Sequence, residues 1–182
     1  MIKNRCILYC RCTHGPLASA PGREKIEDSL SQTGLTVVHV SDLCGAVVHQ
    51  QQRLKEYIQD CRICVVACHA RAVEWLLKRA GFENPVDTVT LRMGDKISIP
   101  TEYMVPVKGK PRRYEIRNSG DWIPWFPVID YDRCRQCGQC MNFCLFSVYQ
   151  RNENGQIVVQ NPSHCKTNCP ACSRVCPHQA IL

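Results

Sequence analysis

The chain has 182 residues, 45% hydrophobic and 21% charged, which is enough for one ordinary domain or two small ones and too apolar for wholesale disorder. Fifteen cysteines would suggest disulfides in a secreted protein, but residues 1–5 lead into a short apolar stretch broken by Arg11 with no signal-peptide pattern, and the longest apolar run, residues 63–68, is too short to span a membrane. The formal charge of +7 counts every thiol as neutral, so metal-bound thiolates would lower it, and it makes no case for nucleic-acid binding.

In chain order, residues 6–10 (CILYC) are a short apolar run that reads as a strand. Residues 23–30, after Pro21-Gly22, are a helix candidate. Residues 35–40 (LTVVHV) are β-branched and strand-like. Residues 46–59 place Val47, Leu54, Tyr57 and Ile58 on one side and predict one helix. Residues 63–67 (ICVVA) predict a buried strand. Residues 71–80 give the clearest helix, with Val73, Leu76, Leu77 and Ala80 at i, i+3, i+4 and i+7 and Gly81 as its stop. Residues 86–91 predict a fourth strand. Strands alternating with helices imply an α/β domain with a parallel sheet over residues 1–91.

Residues 92–125 break that pattern. Prolines at 100, 106, 111 and 124 and glycines at 94, 109 and 120 separate short extended pieces at 96–99, 103–107 and 113–116. This predicts a β-rich connector. Lys108, Lys110, Arg112 and Arg113 within it read as a solvated hairpin tip rather than a docking site for an acidic partner. Trp122, Trp125 and Phe126 close the segment and predict an aromatic cover on the C-terminal domain, or its contact with the first domain.

The cysteines fall into two groups: seven between Cys6 and Cys68, and eight between Cys134 and Cys176. In the second group, Cys134, Cys137, Cys140 and Cys144 form C-x2-C-x2-C-x3-C. Thiolates are soft ligands that suit iron–sulfur clusters, and this spacing lets one turning loop present three sulfurs to one cube while the fourth serves another. A second set should then follow, and Cys165, Cys169, Cys172 and Cys176, with Pro177 after it, supply it. The crossed pattern predicts one [4Fe–4S] cluster on Cys134, Cys137, Cys140 and Cys176, and a second on Cys144, Cys165, Cys169 and Cys172. A zinc ribbon would want two CxxC pairs set further apart. Two such clusters lower the net charge to about +3, and three to about +1. Between the two sets, Asn152-Glu-Asn-Gly155 predicts a β-hairpin turn joining residues 147–150 to 156–160.

Residues 126–182 resemble the two-cluster bacterial-type ferredoxins. The resemblance implies a small α+β domain with pseudo-twofold symmetry, and electron transfer as its activity. Two departures stand out: x3 rather than x2 between Cys165 and Cys169, and Leu145 where the family often has proline.

Among the first seven cysteines, Cys10 and Cys12 follow the first strand, Cys44 the second, and Cys68 the third. Loops at the carboxyl ends of parallel strands converge on one edge, so these four thiols are candidates for a third site. The pattern Cys10-Arg-Cys12, then Asp42-Leu-Cys44, then Val65-Val-Ala-Cys68 with Arg71 and Glu74, resembles the N-terminal domain of the heterodisulfide reductase A subunit over about residues 4–91. Ala70 and Val73 replace its proline and histidine. The resemblance implies a third iron–sulfur cluster on Cys10, Cys12, Cys44 and Cys68. That family's flavin domain does not carry over, because no G-x-G-x-x-G follows a strand. Structural cysteines, or a redox dithiol using Cys61 and Cys64, are the other readings of this group. Cys64 lies inside an apolar strand and reads, with Cys6, as a small core residue. His69 and His164 stand beside cysteines and read as surface residues rather than as partners of ligands.

No nucleophile elbow, phosphate loop or carboxylate pair stands out. Cys165, Cys169 and Cys172 fit a radical-SAM spacing, but no barrel of strands follows them. The sequence therefore reads as an electron carrier or redox-complex subunit rather than a stand-alone enzyme, acting on a redox partner protein. A redox- or metal-responsive sensor or scaffold, and a cluster-fed thiol–disulfide oxidoreductase, are the alternatives.

Overall fold

Strands covered on both faces by helices must be apolar along their whole length, and the three short runs at 6–10, 36–40 and 63–67 meet that condition. In the computed structural model, which describes residues 4–15, 18–59, 61–82, 89–92, 97–105, 112–118 and 120–182, they form the centre of a parallel sheet. Its strands are β1 (Asn4–Cys10), β2 (Thr36–Val40), β3 (Cys61–Ala67), β4 (Val89–Arg92) and β5 (Arg113–Ile116). Their order is β4-β3-β1-β2-β5, and every pairing is parallel. Cys6, Ile7, Leu8 and Tyr9 in β1 are completely buried. The chain moves from β1 to β2 on one side and crosses to β3 on the other, so the sheet reverses its winding beside β1.

The crossovers are helical. Helix α1 (Ala20–Ser31) starts where the Ser19 hydroxyl accepts the Gly22 N–H at 3.1 Å, with Pro21 in its first turn. Its Ile26 and Leu30 pack on Ile7, Tyr9, Val37, Cys64 and Val66 of the sheet, together with Tyr103. Between β2 and β3 run α2 (Leu43–His49) and α3 (Gln51–Ile58), and α4 (Ala70–Arg79) follows β3. Gly81, at φ +81°, stops α4 as its sequence suggests, with Phe82 N–H reaching back to the Leu77 carbonyl at 3.1 Å.

The structure departs from the sequence expectation in three places. The single helix expected over 46–59 is two, broken at Gln50, whose backbone leaves the helical region (φ −134°, ψ 30°). Its side chain donates to the Arg117 carbonyl, a partner distant in sequence. The connector expected over 92–125 is not a separate layer. Its Arg113–Ile116 piece is β5, paired with Val37–Val40 of β2, and Ile116 is fully buried. The residues after β5 lie so close to α2 that a Cβ on Gly45 would stand 2.4 Å from the Asn118 side-chain amide. The compact units accordingly divide at residues 1–120 and 121–182, rather than at 91 and 125. Of the fourth strand expected over 86–91, residues 86–88 lie outside the described residues, as do Lys108 and Lys110 of the basic cluster.

The second unit is built from α5 (Gln139–Phe143), an antiparallel hairpin of β6 (Tyr149–Arg151) and β7 (Ile157–Val159), and α6 (Ala171–Val175). The hairpin turn forms as the sequence suggests: Asn152 Oδ1 accepts from the N–H groups of Asn154 and Gln156, and Gly155 takes φ +73°. Its core joins Ile129, Val148, Tyr149, Ile157, Val159 and Ile181, with Phe126 packed against them. Trp122 stacks on Phe126 at 6.0 Å within this unit, while Trp125 stays exposed.

The two halves of this unit match. Gln136 and Asn168, each just before the second cysteine of its set, are both left-handed, as are Ser147 and Gln179, each three residues after a fourth cysteine. Helices α5 and α6 each carry the third cysteine, Cys140 or Cys172, as their second residue. Tyr149 pairs antiparallel with Val159, and Ile181 with Ile129.

Candidate metal centres

All fifteen cysteines are free thiols. In the second unit, short turns bring the eight of them around two cavities. One is lined by Cys134, Cys137, Cys140 and Cys176, with Ile129, Ile157 and Ile181 as its apolar wall. The other, of about 120 Å³, is lined by Cys144, Cys165, Cys169 and Cys172, with Val148, Tyr149, Phe143 and Leu145. Local turns set this up. Buried Asp130 accepts the N–H groups of Asp132 and Arg133 at 3.0 and 3.3 Å, which turns the chain into the first cysteine loop. Gln136 Oε1 accepts the Ile157 N–H at 2.7 Å and ties that loop to β7. In the second set the extra residue sits in a turn closed by Cys169 N–H to the Lys166 carbonyl at 3.1 Å. That turn leaves Cys165 on the cavity wall with the others.

Electrostatics group the thiols the same way. Burial pushes the Cys140 thiol up to about 11, and Cys134, Cys176 and Cys137 add to the shift. Burial likewise pushes Cys165 up to about 11, with Cys172, Cys169 and Cys144 adding to it. Burial and neighbouring thiolates both penalise the charged form, so the Cys140 and Cys165 thiols resist ionising. Two further observations bear on the fit of an iron–sulfur group. The donors are all soft sulfur, and the buried Tyr149 hydroxyl, with no nitrogen or oxygen partner, lines the second cavity beside them. Among the described residues, no three His, Cys, Asp or Glu side chains are gathered around a single-ion position.

The family described as a 4Fe-4S dicluster domain matches residues 126–178. The pyruvate synthase subunit PorD of Methanocaldococcus jannaschii is 34% identical over 37% of this chain and 83% of its own length. The chain belongs to the ferredoxin family. Ferredoxin-3 of a Nostoc species is 34% identical over 31% of this chain and 75% of its own length. An uncharacterized ferredoxin of M. jannaschii is 50% identical over 54 residues, 30% of this chain and 36% of that relative. The chain thus spans about a third of the length of that relative. The ferredoxin domain binds iron–sulfur clusters, and the residues matched by the dicluster family lie beyond the last strand of the parallel sheet. Among the described residues, no helix is long and apolar enough to cross a membrane.

At the carboxyl edge of the sheet a different arrangement appears. Cys10 ends β1 and is buried, Cys12 follows in a left-handed conformation at φ +50°, Cys44 lies in the first turn of α2, and Cys68 follows β3. The Cys10 sulfur accepts the Leu43 N–H at 3.2 Å, and Cys12 Sγ donates to the Gly15 carbonyl at 3.0 Å. The Cys10 thiol lowers the pKa of Cys12 through a sulfur–sulfur hydrogen bond. Burial pushes Cys44 up to about 12, with Cys68, Cys12 and Asp42 adding to it. All four thiols therefore feel one another. A residue passed over by sequence reasoning sits among them. Asp42 is buried, is bonded by the Thr13 hydroxyl, and has His14 Nε2 at 3.9 Å. Its position two residues before Cys44 is the signal that could have marked it.

Cys61 and Cys64 do not form a dithiol at a helix start. Both lie on β3, with Cys64 fully buried in the apolar core and Cys61 set against Cys6 instead. His69 and His164 are exposed.

Proposed function

We propose that the chain is an electron carrier, or the electron-carrying subunit of a redox complex, with two [4Fe–4S] clusters in its C-terminal unit. The observation that carries this is the pair of separate cavities, each rimmed by four thiols drawn from both cysteine sets. Cys134, Cys137, Cys140 and Cys176 would hold one cluster, and Cys144, Cys165, Cys169 and Cys172 the other. When bound, such clusters accept and release single electrons at potentials set by burial and by hydrogen bonds to sulfur. The chain's own residues supply the thiolates, exclude water with Ile129, Ile157, Ile181 and Val148, and orient the loops through Asp130 and Gln136. The likeness to a pyruvate synthase subunit supports a place beside a redox partner protein, with oxidoreductase chemistry residing in that partner. The cysteines' metal-type spacing, in place of a disulfide framework, favours a cytoplasmic setting.

The four mutually coupled thiols at the sheet edge favour a third cluster there, on Cys10, Cys12, Cys44 and Cys68. The Cys10–Cys12 hydrogen bond supports a second reading of the same edge, a dithiol whose disulfide form the two clusters would reduce, one electron from each, with two protons taken up by the sulfurs.

Anaerobic iron and sulfide analysis with EPR of the reduced protein decides among these. Two clusters give about eight irons per chain and three give about twelve. Cys68→Ser should lower about twelve to about eight. Fewer than about four irons after reconstitution overturns the two-cluster reading. A wild-type count of about eight, with a disulfide forming between Cys10 and Cys12, removes the third cluster in favour of the dithiol.

A further inference from the structure

The two cysteine-lined cavities are matched in backbone but not in what stands beside them. Five residues after Cys144 comes Tyr149, and five residues after Cys176 comes Ile181. The two occupy equivalent places, since each pairs antiparallel with a residue ahead of the next cysteine set, Val159 or Ile129. Each lines its own cavity. Tyr149 is 4% exposed, and its hydroxyl has no nitrogen or oxygen partner. An orphaned buried hydroxyl is destabilising, and a plain packing role would have been met by phenylalanine. Cys172, one of the four sulfurs on that cavity wall, packs against the core cluster that holds Tyr149.

We propose that Tyr149 is a positioning residue for the second cluster, its hydroxyl donating to the Cys172 thiolate once ligation has removed the thiol proton, so that this cluster has the higher reduction potential of the two. The inference rests on the two-cluster reading above. A hydrogen bond to a ligand sulfur stabilises the more negative, reduced cluster more than the oxidised one, and so raises the potential. Ile181 offers the other cluster no such donor. The first electron to enter the protein therefore settles mainly on the Cys144, Cys165, Cys169 and Cys172 side.

Tyr149→Phe removes the donor and keeps the ring. Iron content is measured first, because a wild-type protein with fewer than about four irons after reconstitution fails the cluster reading, whereas about eight or more leaves the Tyr149 question open to test. In an EPR-monitored redox titration of protein with both clusters, the variant should show one cluster at a more negative potential and the other unmoved. The expected shift is about tenfold in the one-electron equilibrium between them, or 59 mV. ENDOR of the reduced protein in D₂O should also lose one exchangeable-proton coupling. Superimposable titrations, or an equal shift of both clusters, would overturn the proposal. Loss of one cluster in Tyr149→Phe would also do so, since the residue would then be needed for assembly rather than for potential.

Discussion

The two cysteine-rich regions reach four-thiol groupings by opposite routes. In the C-terminal unit three of the four thiols in each cavity lie within a few residues of one another, aimed by five-residue helices and single turns, and one comes from the other cysteine set. At the sheet edge, Cys10, Cys44 and Cys68 stand at or just after the ends of three strands, and the winding of the sheet sets their places. The C-terminal grouping is thus mainly local, and the N-terminal grouping a property of the entire fold. The N-terminal group also shares its space with a buried carboxylate, Asp42, which adds to the rise in the Cys44 pKa, whereas, among the described residues, no carboxylate lines either C-terminal cavity.

The largest effect expected from this contrast is at Cys140. Cys140→Ala should remove one cluster's worth of iron, about four of about eight, and leave the second cluster's EPR signal in place. Cys176→Ala should reproduce it, although Cys176 belongs to the other cysteine set in sequence. If Cys176→Ala instead removes the cluster that Cys144 serves, the crossed assignment is wrong.

A smaller effect separates the regions by packing. Gly45→Ala puts a Cβ into the Asn118 side-chain amide, which must swing away from the helix that carries Cys44. Because a side-chain end gives way, the cost lies at the low end of the about 1–3 kcal/mol typical of overpacking. Urea unfolding followed by circular dichroism should show the loss in the sheet unit, with iron bound by the C-terminal unit unchanged. Iron lost in parallel from the C-terminal set would mean that its geometry depends on the sheet after all.

These routes also explain what could be read from sequence. The spacing of Cys134 to Cys144 was legible because the chemistry is local. The parallel sheet was legible because three runs of buried apolar residues alternate with helical periodicity. The break at Gln50 was not, since nothing within residues 46–59 marks it and the partner of its side chain, the Arg117 carbonyl, is on a distant segment. Residues 113–116 were legible as an extended piece but not as a strand of the sheet, because they are charged at alternate positions and follow a proline-rich stretch. The difference between Tyr149 and Ile181 could have been found by aligning the two halves on Cys144 and Cys176. Its meaning needed the structure, because only there does the hydroxyl stand buried and unpartnered.

The narrowest predicted effect concerns a thiol that belongs to neither grouping. Cys64 is completely enclosed in the sheet core, and burial, followed by the charge of Glu102, pushes its pKa from 9.0 up to about 12. The folded state therefore holds the neutral thiol more tightly than the unfolded chain does. The stability this contributes is fully present below pH 9 and is lost as pH rises from 9 through about 12. At pH 10 the loss is about 1.4 kcal/mol, from one pH unit above the unfolded value at about 1.4 kcal/mol per unit. Unfolding of the reduced protein at pH 8 and pH 10 should show that decrement, and Cys64→Ala, less stable at pH 8 for want of the sulfur's packing, should lack the part due to ionisation. If wild type and variant fall equally between the two pH values, the loss originates elsewhere, and the crowded thiols at the carboxyl edge of the sheet become the group to test.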